Sequence, residues 1–258
     1  MKTNVIKSSL LLLIFLSSGF LWGQSITPRR LEILFLGDNG HHKPIERFSE
    51  IMPALGNKGI NFTYSDRLED LNPTYLNKFD ALMIYANWDA ITPEAEKALL
   101  AYVASGKGLL PIHCASFCFR NSPEFVKMVG GQFWRHTMDT ISVKITQNNH
   151  PIMKDLSGIK AFDETYLHSQ LQADNNVLMT REIKADQTKD RPETKTEPYA
   201  WTRQYGKGKV FYTAYGHDEN TWQNADFQKL IENAILWVVD ENAQKAHAGL
   251  NIDRKSVV

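Results

Sequence analysis

Cysteine is scarce, with only Cys114 and Cys118 in 258 residues. Two thiols cannot build a disulfide scaffold, and a four-residue spacing leaves little slack for disulfide geometry, so both are expected as buried thiols. There is no excess of charge of either sign: Lys plus Arg and Asp plus Glu both number 29. Neither nucleic acid nor an anionic membrane is therefore expected as a partner. GxSxG and HExxH are missing, which removes the sequence support for a serine hydrolase or a zincin. Gly37, Gly40, Gly130 and Gly131 match neither a dinucleotide fingerprint nor a P-loop, and "GDNGHH" (37–42) has no phosphate-binding lysine. Internal repeats and low-complexity tracts are absent as well.

What is present begins with a three-part leader. Lys2 and Lys7 form a short basic start, Leu10 to Leu16 an apolar run too short to span a bilayer, and small and polar residues follow up to Gly23. Residues 1–23 are expected to be a signal peptide. That places the mature chain in the periplasm or outside the cell, with no membrane insertion after cleavage. Residues 24–240 then suffice for one α/β domain, and 241–258, which lack an apolar stripe, are expected as a loose tail.

The domain alternates strand and helix. "LEILFLG" (31–37), "ALMIYAN" (81–87) and "GLLPIHC" (108–114) are near-continuous apolar runs, as strands covered on both faces should be. "INFTYSD" (60–66) reads as a further strand. Between them lie helices at 46–55, with Pro53 as an expected kink, and after Thr92, which supplies an N-cap followed by Pro93 and Glu94. "SPEFVKMVGG" (122–131) repeats that start. Shorter strands are expected at 140–146, 161–167, 176–182, 199–205 and 209–215, with an exposed loop or hairpin tip over 184–198. A helix with Phe227, Leu230, Ile231, Ala234, Ile235 and Val238 on one face closes the domain.

In a parallel sheet with right-handed crossovers, ligands sit beyond the carboxyl ends of the strands. Histidine follows three of the four strands that matter: His41 and His42, His113, and His217. Any one of them could merely satisfy a loop carbonyl, but together they mark a candidate site. His150 and His247 are expected to be solvated. "DETYLH" (163–168) adds Asp163, Glu164 and His168, whose faces the sequence does not fix. At the exit of the fourth strand the working residue could be His113 or Cys114, or the segment could be only the end of a buried strand. Imidazoles with a carboxylate suit a divalent metal such as zinc, with His42, His113 and His217 as candidate ligands.

"GLLPIHCASF", "GGQFWRHTMD", "HPIMKDLSGIKAFDETYL", "PYAWTRQYGKGKVFYTAYGHDENTW" and "FQKLIENAILWVV" together resemble the trehalose-utilisation (ThuA-like) family over about 31–240. The resemblance implies a class I glutamine amidotransferase-like fold: a flavodoxin-like three-layer sandwich with a mostly parallel central sheet. In the amidotransferases the residue after the fourth-strand isoleucine is the nucleophile. Here Ile112 is followed by His113, and "GHDEN" puts His217 where those enzymes keep a catalytic histidine. The resemblance thus carries over His113 and His217, but no Cys–His–Glu triad, so amidotransferase activity is not expected.

It implies instead an enzyme of carbohydrate metabolism acting on a glycoside, disaccharide or keto-sugar. His113 and His217 would do acid–base work, with Glu164 as carboxylate partner. Asn39, His42, His136, Tyr166, Asp218 and Trp222 are the expected contacts to a sugar. A non-catalytic carbohydrate-binding protein on the same fold is the alternative. Nothing in the sequence specifies an oligomer.

Overall fold

The computed structural model describes residues 26–184, 187 and 193–251. The expected signal peptide, residues 185, 186 and 188–192 of the expected loop tip, and residues 252–258 lie outside them. The apolar runs become strands β1 (Leu31–Leu36), β2 (Ile60–Ser65), β3 (Ala81–Ile84) and β4 (Gly108–Pro111). The second half adds β5 (Gln132–Arg135), β6 (Met138–Ile145), β7 (Lys160–Glu164), β8 (Leu167–Ser169), β9 (Asn176–Glu182), β10 (Thr196–Tyr205) and β11 (Gly208–Thr213).

Nine of these make one sheet in the order β2-β1-β3-β4-β11-β10-β9-β6-β7, while β5 and β8 pair separately. The first five are mutually parallel, and each later neighbour is antiparallel. Consequently β2, β1, β3, β4, β11, β9 and β7 all point one way. The sheet is mostly parallel in direction, with the flavodoxin-like order in its first five strands.

The sequence explains the parallel half directly. Ile33, Leu34, Phe35, Leu82, Met83, Leu109 and Leu110 are fully buried, as strands covered on both sides require. One helical layer contains α1 (Pro44–Gly56), α5 (Glu219–Gln223) and α6 (Ala225–Val238), which pack against one another. Elsewhere α2 (Pro73–Leu76) packs on α3 (Pro93–Ala104), and α3 and α4 (Pro123–Val129) lean on β11. The N-caps behave as expected, with the Thr92 side chain accepting from Ala95 N–H and Ser122 from Phe125 N–H. Gly108 lets α6 approach β4, since a Cβ there would come within 2.6 Å of the Val238 side chain.

Four expectations are corrected. Helix α1 runs through Pro53 to Gly56 instead of ending at Leu55. The run 161–167 is not one strand: after Glu164 the chain turns, with Tyr166 N–H donating to the Glu164 carbonyl, and restarts as β8. The tail is not loose at its start. Helix α7 (Glu241–Ala248) is capped by Asp240, and small residues suffice to seat it, since Ala243 and Ala246 are buried. Within the expected exposed loop, Gln187 is buried and bonds Arg181, Thr137 and Thr165.

Candidate active site

Four strand exits meet at one place. After β1, the Asp38 carboxylate folds the loop back by accepting from Gly40 N–H at 2.7 Å, and it also accepts from Asn87 N–H after β3. That turn brings His42 inward, to 5.3 Å from the ring of His113 and 5.4 Å from that of His217. After β4, Ile112 still bridges Thr213, and the chain then enters a 3-10 turn (His113–Phe117).

His113 itself has φ +50, in the left-handed region that costs a non-glycine residue about 1–2 kcal/mol. Its surroundings hold it there. The His113 carbonyl accepts from the hydroxyls of Ser116 (3.0 Å) and Tyr212 (3.3 Å). The Tyr212 hydroxyl also meets His168 Nε2 at 2.9 Å, and His168 Nδ1 lies 2.8 Å from Glu197. All of these groups are buried, so the strained elbow is fixed by a closed polar network.

The antiparallel half of the sheet curls so that the end of β7 reaches the exit of β11. Asp163, fully buried, is the clamp. Its carboxylate accepts from Gly216 N–H (3.1 Å), His217 N–H (3.1 Å), Glu164 N–H (2.7 Å) and the Thr221 hydroxyl (2.7 Å). Gly216 has φ +138 and passes close to His113, where a Cβ would lie 3.1 Å from the His113 Cβ. Its carbonyl is held by Tyr85 and by the indole of Trp222.

Glu164 lies at the centre of the cluster. One oxygen lies 3.2 Å from His113 Nε2; the other lies 3.2 Å from His217 Nδ1 and 3.4 Å from His136 Nδ1. Burial alone would raise this carboxyl, but the imidazoles of His113, His217 and His136 outweigh it and hold it below its ordinary value. Burial, aided by the neighbouring His113, His41, His217 and His136, pushes His42 down to about 2, so this imidazole is neutral. His217 is also lowered, by burial against the opposing pull of Glu164.

The hydrogen bonding of these imidazoles is incomplete. His113 Nδ1 is 2.7 Å from the Ala214 carbonyl, so this nitrogen carries a proton and donates it, and Nε2 is left on the side of Glu164. The approach of Nε2 to Glu164 lacks hydrogen-bond geometry, and Nε2 has no other partner. Both ring nitrogens of His42 and Nδ1 of His217 are likewise buried without partners. The His42, His113, His217 and Glu164 donor atoms all lie within 4.8 Å of one another. The expected ligand trio is thus brought together, and Glu164 joins it.

A cavity of about 130 Å³ opens on this cluster, lined by His41, His42, Asn87, Phe117, Phe133, His136, Glu164 and Tyr166. The Tyr166 ring stacks on His113 at 4.2 Å, and Phe133 lies 4.5 Å from Tyr166.

Three expected sugar contacts are elsewhere. Trp222 is fully buried in the core against Tyr85, Phe35 and Phe227, because its indole N–H is needed under Gly216. Asp218 caps α5 through Asn220, and Asn39 bonds Asp66; neither lines the cavity. His150 and His247 bond Ile152 N–H and the Lys58 carbonyl. Cys114 is fully buried, and burial, ahead of Cys118 and Asp38, raises its thiol well above the ordinary value, so it is no nucleophile. The aromatic walls Phe117 and Phe133 carried no sequence signal beyond lying within "HCASF" and "GGQFWRHTMD".

A histidine at the elbow of a flavodoxin-like sheet, facing a carboxylate and further histidines, defines a site unlike that of a thiol amidotransferase. The family model described as ThuA, trehalose utilisation, matches residues 32–238, and the chain belongs to this family. Membership gives it a carbohydrate-related role. A ThuA-like protein from Bacteroides uniformis has a similar structure, with TM-score 0.70, 18% identity, and coverage of 85% of this chain and 96% of that one. A second, from Parabacteroides merdae, gives TM-score 0.66, 17% identity, and coverage of 81% and 90%. A β-galactosidase from Rahnella sp. R3 shares the fold at TM-score 0.54 and 14% identity, over 80% of this chain but 31% of that one. No curated protein sequence matches the chain.

Proposed function

We propose that the chain is an exported enzyme that acts on a glycoside, disaccharide or keto-sugar, with the Glu164 cluster as its reaction centre. One observation carries this reading: a single carboxylate is approached by three imidazoles at the floor of a cavity with aromatic walls. A structural role does not call for such a group, because surplus imidazoles buried beside a carboxylate are costly unless they bind or react.

The division of labour follows exposure. His113 has none, and it serves from behind as the fixed inner partner of Glu164. His136 and His217 have side chains 38% and 30% exposed, and they face the side from which a substrate arrives. Each is close enough to Glu164 to exchange a proton through it, so the pair can deliver or remove a proton at a sugar hydroxyl or beside a carbonyl. Phe117 and Phe133 supply an apolar surface for the C–H face of a sugar ring.

The test is turnover by the purified chain beginning at Gln24, on a panel of glycosides, disaccharides and their keto derivatives. Glu164→Gln should lower kcat at least about 100-fold, in the range expected for loss of an acid–base group. Binding of a sugar without turnover of any panel member would favour the non-catalytic alternative.

A further inference from the structure

We propose that His42, His113, His217 and Glu164 form a binding site for one divalent transition metal of the zinc class. The inference deepens the reading above and rests on it for the metal's role in catalysis, but not for the metal's binding.

Three imidazoles and a carboxylate come from four separate segments: the loop after β1, the elbow after β4, the end of β7 and the loop after β11. Their unpartnered atoms define the site. His113 Nε2, both nitrogens of His42 and His217 Nδ1 are buried and lack a hydrogen bond, in a protein interior where such groups are nearly always satisfied. One metal ion would satisfy His113 Nε2, His217 Nδ1 and one ring nitrogen of His42 at once.

Three of the four ligands are also held from outside. The Ala214 carbonyl accepts from His113 Nδ1 and leaves Nε2 free to ligate, the usual second partner of a metal-bound histidine. Asp163 fixes the main chain of Glu164 and His217 together. The strained backbone of His113 gains a reason: φ +50 aims its ring back at Glu164 instead of along the strand. Nearby, Arg47 donates one N–H to the His217 carbonyl at 3.3 Å, while its Nε and Nη1 are buried without a partner.

Donor type argues for the metal class. Neutral imidazoles with one carboxylate suit zinc and its neighbours, not calcium or magnesium, which take oxygen. The 4.8 Å spread of the donors exceeds the roughly 3.3 Å edge of a tetrahedron with bonds of about 2.0 Å, so loading draws the side chains inward by about an ångström. Four protein ligands close a tetrahedron, so a water or sugar oxygen from the cavity beside Glu164 would join as a fifth ligand. With His217 ligating, proton transfer at the cavity falls to His136.

The experiment is a zinc titration of the full mature chain by calorimetry after chelator treatment, with a cobalt(II) titration followed by visible absorption. One equivalent should bind with Kd below about 1 μM, and cobalt should give d–d bands of nitrogen–oxygen ligation. His113→Ala and Glu164→Gln should each weaken binding at least 100-fold, whereas His41→Ala and His136→Ala, at the same cavity, should change it less than threefold. Failure of the unaltered chain to bind either metal at 100 μM would overturn the site, as would equal losses from His41→Ala and His113→Ala. The cobalt spectrum of the unaltered chain decides the matter even where a ligand variant does not fold. Stoichiometric metal without sugar turnover would remove the catalytic reading and keep the site; turnover indifferent to chelator would remove the site and keep the catalytic reading.

Discussion

The carboxylate of Asp163 accepts the main-chain N–H of His217 at 3.1 Å, from a strand at the far edge of the sheet. That bond, with those to Gly216 and Thr221, ties the antiparallel half of the molecule to the parallel half at the candidate site. Asp163→Asn would leave one oxygen for four donors and point an amide N–H₂ at some of them. It should cost about 2–4 kcal/mol, in line with breaking a buried charge-assisted network. Thr221→Val, which removes one donor, should cost about 1 kcal/mol. Urea unfolding of the two variants checks the ratio; equal, small losses would mean that Asp163 is not the clamp.

The left-handed backbone of His113 gives a test that separates conformation from chemistry. Glycine adopts this region freely and alanine does not, so His113→Gly should be more stable than His113→Ala by about 1 kcal/mol, the reverse of their order in a regular strand. Thermal unfolding of the pair reads the difference directly. Alanine as the more stable variant would show that the elbow relaxes out of this conformation.

Much of the fold was legible because it depends on local signals. The continuous apolar runs gave β1, β3 and β4, and the Thr92-Pro93 and Ser122-Pro123 starts gave α3 and α4. The rule that ligands gather at strand ends then brought His42, His113 and His217 to one place. Glu164 was legible as a carboxylate partner of His113 and His217, but its place among three imidazoles was not, because that depends on the curl of the antiparallel half and on a two-residue break between β7 and β8, and neither has a periodic signature. Trp222 was misplaced for a related reason: its position in a family-like block says nothing of which way the indole points. Helix α7 escaped notice because two alanines, not a stripe of large residues, seat it.

Cys114 should be dispensable for activity. It sits behind the elbow, fully buried, with its thiol raised by burial. Cys114→Ala should retain activity and metal binding at a cost of about 1 kcal/mol in stability. Iodoacetamide should label the native protein at neither cysteine. Labelling of Cys114 with loss of activity would return the nucleophile role to it.

Acid stability should depend on Asp80. Burial acts to raise this carboxyl, but its hydrogen bonds to the Arg29 guanidinium and the Glu32 N–H prevail, and it lies below its ordinary value of 3.8. A carboxyl depressed on folding contributes stability above its unfolded pKa, and that contribution is lost as pH falls through the lower folded value. Stability should therefore fall below about pH 4 with a component that Asp80→Asn removes. Identical slopes for the two proteins between pH 5 and 2 would contradict this.

The measurement closest to the central claim is a crystal structure of the mature protein soaked with a disaccharide and with a keto-sugar. The account predicts a sugar ring against Phe117 and Phe133, with an oxygen at Glu164 and a second within reach of His136. A sugar bound elsewhere, with the Glu164 cavity empty, would contradict it.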